Sequence, residues 1–127
     1  MAHRNAQVVQ DYFGSLTAGD IAAIVSMFSK DGFVTSPFLG EMAAGAFFNR
    51  LDRASTKSDL TVLDILSGAS EATVAARFLY DWTLQSGDNI VFEGVDHFTF
   101  NADGQIRHMR IYYDTHPVRE DVGDKYN

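Results

Sequence analysis

A chain of 127 residues with 46% apolar content is long enough to fold as one domain around a buried core. The formal net charge of -7, with no block of Lys and Arg, argues against a nucleic-acid surface, and the lack of cysteine excludes a disulfide framework, a thiolate metal site and a Cys nucleophile. The opening residues MAHRNAQVVQ lack the apolar stretch of a signal peptide, and no run of about 18 apolar residues could cross a membrane, so a cytoplasmic protein is expected.

In chain order, Val8, Val9, Tyr12, Phe13 and Leu16 fall on one helical face and predict a helix over Asn5 to Ala18. Gly19 is placed to end it and Asp20 to cap the next, Ile21 to Ser29, whose apolar residues are Ile21, Ile24, Val25 and Phe28. Asp31-Gly32 reads as a turn, Phe33 to Ser36 as a short strand stopped by Pro37, and Phe38 to Met42 as a loop. A third helix is expected over Ala43 to Arg53, with Phe47, Phe48 and Leu51 inward. After the polar stretch from Ala54 to Ser58 the pattern is β throughout: Leu60 to Leu66, Ala72 to Leu84, Ile90 to Phe100 and Ile106 to Asp114. Helices first and antiparallel strands afterwards predict an α+β domain. Residues 115–127 read as a polar tail.

The last two strands, joined at Asp103-Gly104, carry the most informative residue. A period of two puts Phe92, Asp96, Phe98 and Phe100 on one face of the first strand. An acid thus stands on an aromatic face, although Asp is rarely buried without a partner. If that face lines a cavity, desolvation raises the pKa of Asp96, making it a hydrogen-bond donor to an oxyanion when protonated and a strong base when ionised. The alternative is a structural Asp96 paired with Arg77 or a backbone amide. Phe78, Tyr80 and Trp82 share a face of the middle strand, and Met109, Ile111 and Tyr113 one of the last; such stripes form plain core or the wall of a small-ligand pocket. His97 and His108 fall on the opposite faces and His3 and His116 in terminal segments, so no metal-ligand spacing is expected, nor does a phosphate-binding loop or nucleophile motif occur. Gly14, which costs its helix roughly 1 kcal/mol, reads as a close approach to another element.

The stretches DYFGSLTAGDIAAIVSMFSKDGFVTSPF and VDHFTFNADGQIRHMRIYYD resemble the opening and the closing hairpin of ketosteroid isomerases and of the wider NTF2-like, SnoaL-like superfamily. The resemblance covers residues 6–53 and 90–114. It implies a single domain over residues 1–127, a cystatin/NTF2-like cone with three N-terminal helices on a curved, mostly antiparallel sheet. It places Tyr12 where the isomerases carry the oxyanion-hole tyrosine, Asp96 where they carry its protonated acidic neighbour, and Met109 and Tyr113 on the pocket wall. The family base, an Asp just before the proline, is replaced by Ser36, and a serine hydroxyl cannot abstract an α-proton without a base of its own. SnoaL-type polyketide cyclases resemble this chain in using a single acid/base carboxylate. Limonene epoxide hydrolases of this fold carry an Arg where Gly94 stands, and the scytalone dehydratases a pair of pocket histidines that the parity of His97 and His108 does not supply.

Two functions are therefore expected of one site. The first is cofactor-independent proton transfer (isomerase, cyclase or dehydratase type) on a small apolar carbonyl or aromatic compound, with Tyr12 and Asp96 catalytic and Ser36, Phe78, Trp82, Phe98, Met109 and Tyr113 binding substrate. The second is a non-catalytic ligand-binding or dimerisation module. No metal or cofactor is expected in either, and a homodimer is expected through the convex sheet face bearing His97, His108, Arg110 and Tyr112.

Overall fold

The computed structural model describes residues 2–115, with side chains from Arg4 onward. Helix α1 (Ala2–Ala18) and the short α2 (Ile21–Ser26) lead into strands β1 (Phe28–Ser36) and β2 (Gly40–Ala43). Helix α3 (Ala44–Ala54) follows, then strands β3 (Ser55–Ser67), β4 (Thr73–Leu84), β5 (Asn89–Phe100) and β6 (Ile106–Tyr113). All six strands form one curved sheet in the order β2-β1-β6-β5-β4-β3, antiparallel throughout except for the parallel β1–β6 pair. The α+β architecture is the one expected, with no helix after α3 among the described residues.

The turn residues act as their chemistry dictates. Gly19, at φ +72°, ends α1 with its amide on the Leu16 carbonyl, and the Asp20 carboxylate caps α2 by accepting from the Ala23 amide at 3.1 Å. In the β5–β6 turn Gly104 takes φ +79°, while the Asn101 side chain accepts from the amides of Asp103 and Gln105.

Several boundaries differ from expectation. Helix α2 stops at Ser26, because Phe28 is recruited into β1 opposite Ile106 and is almost fully buried. Long-range pairing overrides the helical period there. Asp31-Gly32 consequently lies within β1, at an irregularity in its pairing with β6, and does not separate a helix from a strand. Part of the expected loop pairs with β1 as the edge strand β2. The polar Ser55–Ser58 run belongs to β3, the opposite edge, where one face is left to solvent. A Cβ at Gly14 would meet nothing within 4 Å, so this glycine does not mark a close approach. Residues 116–127, most of the expected tail, lie outside the described residues.

The core lies between the helices and the inner face of the sheet. Phe48, Phe98, Ile24, Ile106, Met109, Val9, Val34 and Val74 are fully buried, each contributing roughly 1.5–3 kcal/mol by removal from water. Helix α1 crosses β3 and β4, while α3 packs near β1 and β2 at the other end of the sheet. The helices and sheet do not close completely, and the space they leave defines the site.

Candidate active site

A cavity of about 310 Å³ opens between α1, α3 and the inner face of β4, β5 and β6. Its wall is almost entirely apolar, built from Phe13, Phe47, Phe78, Phe92 and Ile111 among others, with few polar groups facing it. Of the sequence-predicted residues, Tyr12, Asp96, Ser36, Phe78, Trp82 and Tyr113 line this one space. Phe98 and Met109 do not. Both share the inward parity but are 0% exposed beneath the helices, so they are core and not wall.

Asp96 reaches the cavity because the pleat turns it inward, opposite Ala76 on β4 and Ile111 on β6. The side chain is 2% exposed, and its Oδ1 is buried with no hydrogen-bond partner among the described residues. Arg77, the structural partner considered from the sequence, points outward and pairs with Glu93 at 2.7 Å. The other buried polar side chain, Asn5, is satisfied by donating to the Glu71 carbonyl at 2.7 Å. Asp96 therefore differs from ordinary buried polar groups, which are almost always bonded. Burial drives its pKa well above the usual carboxylate range and so favours its protonated form.

Tyr12 descends onto the same space from α1. Its ring meets Phe13, Phe48 and Phe98 edge-on at centroid separations of 4.9, 5.8 and 5.4 Å, which fixes the direction of the hydroxyl. Burial first, then the fields of Asp96 and Tyr80, raise its pKa well above that of a free phenol. Two groups whose protonated forms burial favours thus face an apolar cavity, an arrangement that favours negative charge arriving on an oxygen.

Ser36 lies at the end of β1, where its Oγ accepts from the Leu39 amide at 3.3 Å. That contact holds a turn and supplies no base, so Ser36 is neither an activated nucleophile nor a proton acceptor. Gly94 is enforced by packing: a Cβ there would stand 2.8 Å from Phe78 Cζ and 2.9 Å from the Tyr112 carbonyl oxygen. An arginine at that position would have to displace the wall. His108 faces away from the cavity, stacked on Phe33 at 4.2 Å and 3.0 Å from Thr35 Oγ1. Among the described residues no group of His, Asp and Glu could hold a metal ion.

Three polar lining residues were not assigned to the site from the sequence. Tyr80 shares the inward parity of Phe78 and Trp82, and its hydroxyl was the available signal. Arg50 stands three residues after the inward Phe47 on α3, a spacing that returns to the same helical face. Asp114 carried the wrong parity, but β6 ends at Tyr113 and alternation no longer governs the next residue.

Comparison with known proteins agrees with this fold. The profile of the SnoaL-like domain matches residues 9–109. A Steroid Delta-isomerase of Nocardioides simplex is 28% identical over 111 residues, covering 83% of this chain and 85% of the relative. A crystal structure of a candidate polyketide cyclase from Pseudomonas putida KT2440 superposes with a TM-score of 0.81 at 18% identity, covering 91% of this chain and 96% of that one. A cystatin-like protein of Methylobium petroleophilum PM1 gives 0.76 at 20% identity, covering 89% and 77% respectively. The matched span runs from α1 into β6 and takes in both Tyr12 and Asp96, and the chain belongs to the SnoaL-like family of the NTF2-like superfamily.

Proposed function

We propose that the protein is a cofactor-independent proton-transfer enzyme acting on a small, largely apolar carbonyl or phenolic compound. The observation that carries this reading is the buried Asp96 carboxyl, whose Oδ1 has no hydrogen-bond partner among the described residues, on the wall of the cavity that Tyr12 also lines. Held neutral, both groups donate to a substrate oxygen. The donors gain strength as that oxygen becomes an enolate and charge develops on it. The sequence left open whether the cavity is filled by its own aromatic rings; its open volume favours a site for a ligand.

Ser36 narrows the chemistry. With no carboxylate before Pro37 to take an α-proton, the reactions best served are those of substrates that lose that proton to solvent and bind as the enolate, such as aldol-type cyclisation of a β-dicarbonyl chain. Dehydration, in which a protonated acid assists a departing hydroxyl, is served equally well. The same residue favours a second reading, a ligand-binding module that holds an enol or phenol without turning it over.

Binding of phenols of graded acidity tests the site itself. Trp82 is the only tryptophan and lines the cavity, so its fluorescence reports occupancy. The wild type is expected to bind more tightly as the phenol becomes more acidic, and Asp96→Ala to weaken binding by about 10- to 150-fold, the loss of a hydrogen bond to a charged partner. An Asp96→Ala protein that binds every phenol as the wild type does would make the carboxyl structural. Turnover of β-dicarbonyl or enone probes then separates the enzyme from the module.

A further inference from the structure

Tyr80 lines this cavity, and its hydroxyl is a polar group that the Tyr12–Asp96 chemistry does not use. Tyr80 faces inward from β4, across from Leu60 on β3 and Phe92 on β5, and is 6% exposed. Its ring lies between Trp82 and Phe92, with centroids at 5.7 and 5.3 Å. The hydroxyl stands 2.7 Å from Ser58 Oγ on β3. The neighbouring polar group is already spent: the Trp82 indole N–H donates to Ser55 Oγ at 2.8 Å, and that serine donates in turn to the Leu51 carbonyl.

Tyr80 is not spent in this way. A phenolic hydroxyl offers one donor and two acceptor sites, and its contacts with Ser58 and, more weakly, Ser55 leave at least one of them open. If Ser58 donates, the Tyr80 proton is available to a ligand carbonyl; if Tyr80 donates, a lone pair remains for a ligand hydroxyl. Burial, opposed by the Ser58 hydrogen bond, pushes the Tyr80 pKa to about 12, so the group stays neutral in ordinary buffers. Its place relative to Asp96 follows from the register. Asp96 faces Ala76, and Tyr80 is four residues further along β4, about 13 Å of strand, with Phe78 the inward residue between them. The cavity thus has oxygen-binding groups at two levels, separated by an aromatic wall.

We propose that Tyr80, oriented by Ser58, is a second oxygen-binding position, and that the cavity selects compounds carrying two oxygen functions on one apolar body. One, a carbonyl or phenol, sits at Tyr12 and Asp96; the other, a hydroxyl or carbonyl, sits at Tyr80. This rests on the reading of Tyr12 and Asp96 given above and adds the substrate class to it. The competing account makes the Tyr80–Ser58 contact a staple between β3 and β4 and nothing more.

Calorimetric titration of the full chain with 2-naphthol and with 2,6- and 2,7-dihydroxynaphthalene distinguishes the two. At least one diol is expected to bind about tenfold tighter than 2-naphthol, the worth of one hydrogen bond formed in a dry pocket. That exceeds the roughly twofold statistical advantage of two equivalent hydroxyls. Tyr80→Phe should reduce the gain, measured against that variant's own affinity for 2-naphthol, to the statistical factor. Ser58→Ala, which keeps the ring and frees the hydroxyl, should shrink the gain as well and serves if Tyr80→Phe folds poorly. Diols that gain nothing in the wild type, or a gain that survives Tyr80→Phe, would overturn the proposal and leave the staple. Loss of 2-naphthol binding itself in the wild type would instead sink the Tyr12–Asp96 reading, and the second position with it.

Discussion

Substituting Asp96 by asparagine should change how stability depends on pH, and the sign follows from the burial of the carboxyl. In the native state the Asp96 pKa is raised, whereas in the unfolded chain it returns to about 3.9. Between those two values the native protein holds one proton that the unfolded chain has released. Stability therefore falls as pH rises through this window, by about 1.4 kcal/mol per pH unit, and levels off once the native carboxyl ionises. The carboxamide introduced by Asp96→Asn is neutral in both states, so the substitution removes this slope and leaves every other titration in place. Urea unfolding of both proteins at one fixed concentration, from pH 4 upward, gives the difference directly. The two curves should meet near the lower end of the window and diverge in favour of Asp96→Asn as pH rises. The pH at which the gap stops growing is the native pKa. Parallel curves across the range would refute the reasoning, because they require an Asp96 that ionises normally despite 2% exposure and an unpartnered Oδ1.

Three further outcomes are expected. Ser36→Asp puts a carboxylate before Pro37, and since Asp also accepts well in turns it should keep the contact with the Leu39 amide; small-enone isomerisation, followed by absorbance, is expected to rise above the wild-type level, and an unchanged rate would count against the base position. Gly94→Ala forces a methyl to within 2.8 Å of the Phe78 ring and 2.9 Å of the Tyr112 carbonyl, and should cost about 1–3 kcal/mol in chemical denaturation, with weaker phenol binding as Phe78 shifts into the cavity. The outer sheet face exposes Leu66, Leu79, Val91 and Tyr112, so light scattering should give a homodimer near twice the 14.1 kDa chain, and Val91→Asp should return it to the monomer mass; a wild type at the monomer mass at micromolar concentration would exclude the pairing.

The features legible in the residues alone were local ones. Alternation along β5 turns Asp96 inward whatever else the chain does, because side-chain direction in a strand is set by backbone geometry over two residues. Gly19, Asp20 and Gly104 mark their turns for the same reason: a positive φ or a cap is satisfied within a few residues. The motifs around Tyr12 and Asp96 were enough to identify the family. Depth was not local. Phe98 and Asp96 share a parity, yet one is core and the other lines an open space, because α1 and Tyr12 cover the first and leave the second. The end of α2 depended on a pairing between Phe28 and Ile106, 78 positions apart by their numbers, and no helical period can register that. Tyr80 lines the cavity, with Ser58 at its hydroxyl, only because β3 pairs with β4 there and the helices leave its ring at the wall. Periodicity assigns a residue to a face. Which part of that face stays uncovered is decided by where the distant elements pack, and that the tertiary structure alone settles.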